Sequence, residues 1–379
     1  MTREYYLQDR ALPGLEKEEY LNNQIITYIG NKRSLLGFIG DGLGVVLKKL
    51  SKPNLKIFDV FSGSGVVSRY FKQYANKLIV NDLEKYSKTI NECYLANSSE
   101  INLKQLLTIY NEVVFKLENN PLIGGFISEL YAPKSNDLIQ KGERAFYTTR
   151  NAMYIDTARQ YIGTIPEEYK KYLLAPLLSE ASIHSNTSGV FKGFYKDSYT
   201  GLGKYGGNNE DALLRILGEI SIPFPVFSNF ECEHEIHQGD SNTIAECIEE
   251  VDLAYIDPPY NQHPYGSNYF MLNLIVDYVR PQSISNVSGI PGDWNRSLYN
   301  KKAHAVNTFR DLVEKLKAKY LLVSFNSEGY ISIEEMAKIL KRIGKLSILE
   351  TQYNTFKGSR NLRDRDIHVK EYLYLVEKR

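Results

Sequence analysis

A strand, a glycine turn, a helix and a second strand follow one another between Leu55 and Asp82, and nothing else in the chain restricts its fold as tightly. Leu55-Lys56-Ile57-Phe58-Asp59-Val60-Phe61 has the apolar, β-branched character of a buried strand. Gly63 and Gly65 turn the backbone, Val66 to Tyr74 carries helical spacing, and Leu78 to Val80 completes the unit at Asn81-Asp82. Two strands joined through a helix pair in parallel, and a parallel sheet needs helices over both faces. The same rhythm returns after residue 239. Val251 to Ile256 reads as a strand, Tyr269 to Val279 and Ala305 to Ala318 as helices, Tyr320 to Phe325 as a strand and Ile331 to Ile343 as a helix. Leu346 to Thr351 and Val369 to Glu377 alternate like two antiparallel strands. Ahead of the first strand, Lys32 to Leu50 has helical apolar spacing despite four glycines at Gly37, Gly40, Gly42 and Gly44. The expected class is α/β, with a mostly parallel sheet and a C-terminal antiparallel strand.

Residues 100 to 238 break that rhythm. Helical patterns at Leu103 to Leu117 and at Asn209 to Ile220, the latter opening on Asn-Asn-Glu-Asp, alternate with loops rich in Gly, Ser, Asn and Tyr. The longest, HSNTSGVFKGFYKDSYTGLGKYGGNN, is of a length that compact domains reserve for functional or mobile segments. Residues 1–99 and 239–379 are therefore expected to build one sheet domain, with 100–238 inserted as a second, mainly helical unit.

Bulk properties narrow the function classes. Of the 379 residues, 43% are hydrophobic and 24% charged, as in ordinary globular proteins. No apolar run is long enough to span a bilayer, and MTREYYLQDRALPG has no apolar secretory core, so a cytoplasmic protein without a membrane partner is expected. Cys93, Cys232 and Cys247 are widely spaced and form no CxxC pair, which points away from a disulfide scaffold and from a zinc site; no metal is expected. Net charge is +1, yet Ser228 to Asp252 holds eight acids and no Lys or Arg, whereas Thr355 to Lys370 holds five basic residues against two acids. A neutral total thus combines an acidic and a basic region.

Two short stretches carry chemistry. In DVFSGSG, Asp59 to Gly65, glycines let the backbone approach a ligand closely, but Ser68 stands where a dinucleotide fingerprint needs its third glycine, and no GK[ST] follows as in a P-loop. Asp82 ends the next strand, where an acid can receive ribose hydroxyls, and Gly239-Asp240 precedes the later strand at a place suited to an adenine edge. The helix start after Gly65 favours a carboxylate. A nucleoside bearing an amino acid meets all three requirements, and a pyrophosphate does not. The second stretch is YIDPPYNQHPYGSNYF, residues 255–270. Pro258 and Pro259 fix φ and remove two N–H groups, leaving the Pro258 carbonyl and the Asp257 carboxylate as adjacent acceptors for the two hydrogens of an exocyclic amine. Tyr260 offers a face for stacking. His263, Tyr265 and Tyr269 either touch an extruded base or pack the core.

DPPY, the FxGxG turn (Phe61, Gly63, Gly65) and YIGNKRSLL at residues 28–36, in that family's order, resemble the D12 class of S-adenosylmethionine-dependent DNA adenine-N6 methyltransferases; the tail YNTFKGSRNLRDRDIHVKEYLYLVE is similar to the ends of its restriction-associated members. The resemblance implies a Rossmann-like methyltransferase sheet with a target-recognition insert, S-adenosyl-L-methionine as cofactor and double-stranded DNA as partner. It implies a type II modification enzyme, with room for a separately encoded restriction endonuclease. By it, Tyr28, Gly30, Lys32, Asp59, Phe61, Gly63, Gly65, Asp82 and Asp240 hold the cofactor, and Asp257, Pro258, Pro259 and Tyr260 grip the base. Arg150 and Lys192 of the insert, with Arg360, Arg363 and Arg365 of the last loop, are the candidates for DNA contact; Arg144, Arg159, Asn186, Lys196 and Lys204 belong to the same wider set. Asp rather than Ser at position 257 argues against cytosine-N4 transfer, and Asp rather than Asn against RNA or glutamine-amide substrates. A DNA-binding protein on a decayed methyltransferase fold is the non-enzymatic alternative, opposed by the intact glycines and DPPY.

Overall fold

The computed structural model describes residues 16–210, 212–326, 329–354 and 368–379. Seven strands form one sheet: β1 (Leu55–Asp59), β2 (Ala75–Asp82), β3 (Glu233–Gln238), β4 (Val251–Ile256), β5 (Ala318–Asn326), β6 (Gly344–Asn354) and β7 (His368–Lys378), in the order β3-β2-β1-β4-β5-β7-β6. The pairs β1/β2, β2/β3, β1/β4 and β4/β5 are parallel. β7 runs antiparallel to both β5 and β6 and is the one reversed strand, as expected from the sequence.

Strand order reverses between β1 and β4. The chain steps outward from β1 to β2 and β3, then returns to lay β4 on the other side of β1. Loops leaving the carboxyl ends of these neighbours diverge to opposite faces and leave a crevice between them. Asp59 is in register with Tyr255, and the Val60 N–H donates to the Tyr255 carbonyl at 3.0 Å. The glycine turn and DPPY, almost 200 residues apart in sequence, therefore share one edge.

Alternation along the strands sorts the core. Phe58, Ile79, Ala254 and Ile256 point to one face, covered by helices Lys302–Lys315 and Ile333–Ile343. Ile57, Leu78, Leu253 and Tyr255 point to the other, covered by helices Leu36–Leu50 and Val66–Lys72.

Residues 100 to 238 do not have a core of their own. Their helices Leu103–Asn119, Thr149–Thr164 and Glu167–Ile183 pack in one cluster with Tyr86, Ile90 and Tyr94 of helix Lys85–Tyr94 and with Met271, Leu272 and Ile275 of helix Phe270–Asp277. Nor does the sheet resume only after residue 238. β3 lies inside the acidic stretch that reads as part of the insert, because an edge strand can carry a row of charges along one face: Lys77 of β2 pairs with Glu233 at 2.7 Å and with Glu235 at 2.5 Å. The helix expected over Asn209–Ile220 shrinks to Leu213–Leu217, since Gly206, Gly207 and Glu210 adopt positive φ and spend the polar residues in turns.

A shared core predicts shared unfolding. Leu177, fully buried in helix Glu167–Ile183, should cost about 2–5 kcal/mol when replaced by alanine. Thermal unfolding of Leu177→Ala should remain a single transition at lower temperature; a separate early transition confined to the insert would contradict the common core.

Candidate active site

The glycine turn is built by backbone conformation and one acid. Gly63 and Gly65 have φ of +52° and +76°, values that a side chain makes strained. A Cβ on Gly63 would meet the Tyr28 ring at 3.0 Å, and one on Gly65 the Asn91 Oδ1 at 3.1 Å. Asp82 ties the turn down: its Oδ2 accepts from the Gly63 N–H at 2.8 Å and its Oδ1 from the Glu84 N–H at 2.9 Å. Burial pushes Asp82 up to about 6 against the pull of those N–H groups. Asp59 lies beneath the turn, almost fully buried, accepting from the Ser68 hydroxyl at 2.6 Å, and burial lifts it to about 7. Its Oδ1 has no partner among the described residues. Asp59 is thus a support under the turn and does not line the crevice.

An aromatic stack attaches the N-terminal segment. Tyr28 packs against both Tyr265 and Tyr269, with ring centroids 4.9 and 4.7 Å away, and those two rings lie 6.0 Å from each other. The Ile29 N–H donates to the Tyr269 oxygen at 2.7 Å, and the Tyr265 hydroxyl donates to the Ile29 carbonyl at 3.2 Å. Tyr269 is fully buried and is a packing residue; Tyr265 reaches the crevice. Gly30, at φ +76°, then turns the chain toward Asn31 and Lys32.

Lys32 ends in a buried cluster of charges. Its ammonium is 3.1 Å from Asp257 Oδ1 and 3.3 Å from Glu371 Oε1, and it donates to the Tyr260 hydroxyl oxygen at 2.7 Å. The Tyr260 hydroxyl in turn donates to Asp257 Oδ1 in a short contact, while the Ser324 hydroxyl donates to Glu371 Oε1 at 2.8 Å. Burial opposes the Lys32 charge, but the two carboxylates outweigh it and hold the ammonium above its ordinary range. Asp257 is shifted upward by burial, then by Glu371, against the opposing pull of Lys32 and Tyr260. Lys32 and Tyr260 both engage Oδ1; Oδ2 takes no donor among the described residues, and Asp257 lines the crevice.

The crevice holds about 870 Å³ of atom-free space, its open mouth included, and brings together most of the residues singled out from sequence. Tyr28, Gly30, Lys32, Phe61, Gly63, Asp82 and Asp240 line it beside Asp257 and Pro259. Pro258 and Tyr260 are not among the residues that line it; the Tyr260 ring packs against Phe325 at 4.6 Å between centroids. Asp240 also caps helix Ser241–Cys247, its Oδ1 accepting from the N–H groups of Asn242 and Thr243. Lys32, expected to hold the cofactor, lines the crevice and also pairs with Asp257 and Glu371, because β4 and β7 place two carboxylates beside it.

Sequence reasoning passed over Glu84, Asn295, Ser324 and Glu371. Glu84 is buried and accepts from the side-chain amides of Asn273 at 2.6 Å and Asn295 at 3.1 Å; burial pushes it up to about 7. An acid two residues past Asp82 was available as a signal, but at a helix start it reads as a cap. Glu371 carried no local signal, since an acid in an alternating strand normally faces water.

The candidate DNA residues fare differently. Arg150 is built into the protein rather than offered to a ligand: its guanidinium donates to the Ile220 carbonyl at 2.8 Å, pairs with Glu219 at 3.1 Å and covers the Tyr154 ring. Arg144 and Arg159 likewise clamp carbonyls, at Leu130 and Ser285 and at Ile275 and Val276. Asn186 is buried and holds the Ala145 carbonyl. Lys192 is exposed, and its charge, after burial, lowers the basicity of His263 in the segment following DPPY. Arg360, Arg363 and Arg365 lie outside the described residues.

A sheet with this strand order, a glycine turn after β1, an acid after β2 and a proline-stiffened acid after β4 define a nucleoside-binding transferase site. A family profile described as D12 class N6 adenine-specific DNA methyltransferase matches residues 28–339. The chain is 30% identical over 365 residues to the type II methyltransferase M.NlaIII of Neisseria lactamica, covering 93% of this chain and 99% of that one. It is 28% identical over 365 residues to M.CviAII of Paramecium bursaria Chlorella virus 1, covering 93% and 98%. Against M.FokI of Planomicrobium okeanokoites it is 29% identical over 365 residues, 93% of this chain but 52% of that relative, so it spans about half of that protein. The chain belongs to the D12 class of N6 adenine-specific DNA methyltransferases, which depend on S-adenosylmethionine.

The residues present suit that cofactor: Gly63 lines the crevice with no side chain, where a Cβ would press on Tyr28, and the half-buried Asp82 and buried Glu84 border it. Gly63→Ala should therefore weaken S-adenosylmethionine binding by about tenfold or more, since backbone strain of about 1–3 kcal/mol falls directly on the cradle. Isothermal titration checks this; unchanged affinity would remove Gly63 from the binding surface.

Proposed function

We propose that this protein is a site-specific DNA adenine-N6 methyltransferase that serves as the modification enzyme of a type II restriction-modification system, acting in the cytoplasm on duplex DNA beside a separately encoded nuclease. The observation that carries the catalytic reading is the asymmetry of Asp257, which lines the crevice with Oδ1 held by Lys32 and Tyr260 while Oδ2 takes no donor among the described residues.

A stacked, paired adenine cannot reach such a recess, so the base must leave the duplex at a cost of a few kcal/mol, offset by contacts in the pocket. Asp257 Oδ2 and the Pro258 carbonyl are the two acceptors for the N6 hydrogens. Holding both orients the nitrogen lone pair and stabilises positive charge as it grows on N6. The Pro258-Pro259 pair keeps these acceptors fixed, because neither residue has an N–H to compete and neither φ can relax. Tyr260 supplies an aromatic wall and, through its hydroxyl, fixes Asp257. When bound, S-adenosylmethionine supplies a methyl group on a positively charged sulfur. Tyr28, Gly30, Phe61, Gly63, Gly65, Asp82 and Asp240 are the residues that would hold it, with Asp59 supporting the turn from below. Lys32 bridges the two halves of the site. No strong base is required, since the proton can depart after transfer.

The 100–238 segment is the proposed target-reading unit, with Lys192 and the loop carrying Arg360, Arg363 and Arg365 as phosphate contacts. The relatives' names support the restriction-system assignment, M.NlaIII and M.CviAII being type II methyltransferases.

Asp257→Ala should abolish transfer of labelled methyl from S-adenosylmethionine to duplex DNA while cofactor binding by calorimetry largely survives. Transfer at the wild-type rate would remove Asp257 from the mechanism.

A further inference from the structure

Glu371 lies on β7, outside the span matched by the family profile, yet its carboxylate reaches the back of the active site. β7 pairs with β5 so that Glu371 stands opposite Asn326, just past Ser324 at the carboxyl end of β5. The side chain is almost wholly buried, at 4% exposure. Its Oε1 accepts from the Lys32 ammonium at 3.3 Å and the Ser324 hydroxyl at 2.8 Å, and lies 3.2 Å from the Tyr260 hydroxyl oxygen, whose single hydrogen points to the closer Asp257 Oδ1. A carboxylate kept this deep must be paired, and here its partners are the two groups that hold Asp257.

We propose that Glu371 is a positioning residue for methyl transfer: it anchors Lys32 and Tyr260 on one oxygen of Asp257, so that the second oxygen turns to the target amine. The proposal rests on Asp257 being the group that grips that amine.

Hydrogen and charge counts support it. Lys32 has three N–H donors and finds three acceptors, Asp257, Glu371 and Tyr260. One ammonium between two carboxylates leaves the cluster with one net negative charge, so Asp257 remains an effective acceptor. Without Glu371, Lys32 would neutralise Asp257 alone, and a freed ammonium hydrogen could reach Oδ2. Other titratable groups facing Asp257 are Tyr260, Tyr255 and Tyr265, all held neutral chiefly by burial, and Asp59 across the β1 end. Glu371 is thus the carboxylate nearest Asp257 across the shared ammonium. Its charge pushes Asp257 upward, so its removal should let Asp257 ionise at lower pH.

The test is single-turnover transfer of labelled methyl to duplex DNA across about pH 5 to about 9, using full-length wild type, Glu371→Gln and Glu371→Asp, with calorimetric S-adenosylmethionine binding to establish that each is folded. Glu371→Gln should slow transfer about tenfold or more and move the acid limb of the profile down by about one pH unit. Glu371→Asp, charged but one methylene shorter, should slow transfer while its acid limb stays at the wild-type position. A wild-type rate and limb in Glu371→Gln overturns the proposal, as does a slower rate with an unmoved limb, which is what a merely structural role produces. Should Glu371→Gln lose cofactor binding, a wild-type rate in Glu371→Asp overturns it on its own. Absence of transfer by the wild-type protein would instead count against the reading of the site.

Discussion

One buried ammonium joins the parts of the chain that have to meet. Lys32 comes from the N-terminal segment, Asp257 from the end of β4 and Glu371 from the reversed strand β7, and all three converge within 3.3 Å of the Lys32 nitrogen. The magnitudes say what such a cluster is for. Breaking a buried pair by removing one partner costs about 3–5 kcal/mol, whereas replacing the whole set with apolar side chains is often neutral or stabilising. A cluster with so little to add to net stability is retained for what it holds in place, and here that is the free oxygen of Asp257. The cluster of Tyr28 with Tyr265 and Tyr269 serves the same end by fixing the approach of the segment that carries Lys32.

The sheet makes this convergence possible. Because strand order reverses between β1 and β4, the glycine turn and DPPY open onto one crevice without any contact in sequence. β7 then adds a carboxylate at the same edge, since a reversed strand delivers its amino-terminal end where β5 delivers its carboxyl end. The helices of the insert share a core with Tyr86, Tyr94 and Met271 of the sheet domain. A segment packed this way shares its core with the elements that flank the crevice.

What could be read from the sequence was what local rules dictate. Gly63 and Gly65 were legible as a turn because glycine takes those φ values without strain, and Asp257-Pro258-Pro259-Tyr260 because an acid and a tyrosine flank a proline pair at a strand's carboxyl end. The mostly parallel sheet with its reversed strand followed from the spacing of apolar runs. The partners of each charge were not legible. Lys32 was expected at the cofactor and pairs with two carboxylates, because its neighbours are set by β4 and β7, more than 200 residues away. Arg150 looks the same in sequence whether it faces DNA or clamps the Ile220 carbonyl. β3 was hidden because an edge strand written Glu-His-Glu-Ile-His-Gln has no apolar alternation to show.

The central claim is that Asp257, held through one oxygen, grips the amine of an everted adenine with the other. A crystal structure of the protein with a cofactor analogue and a duplex carrying its target site tests it most directly. N6 should lie about 2.8–3.0 Å from both Asp257 Oδ2 and the Pro258 carbonyl, with Lys32 still bonded to Oδ1. An adenine amine bound elsewhere in the crevice, or Lys32 moved across to Oδ2, would contradict it.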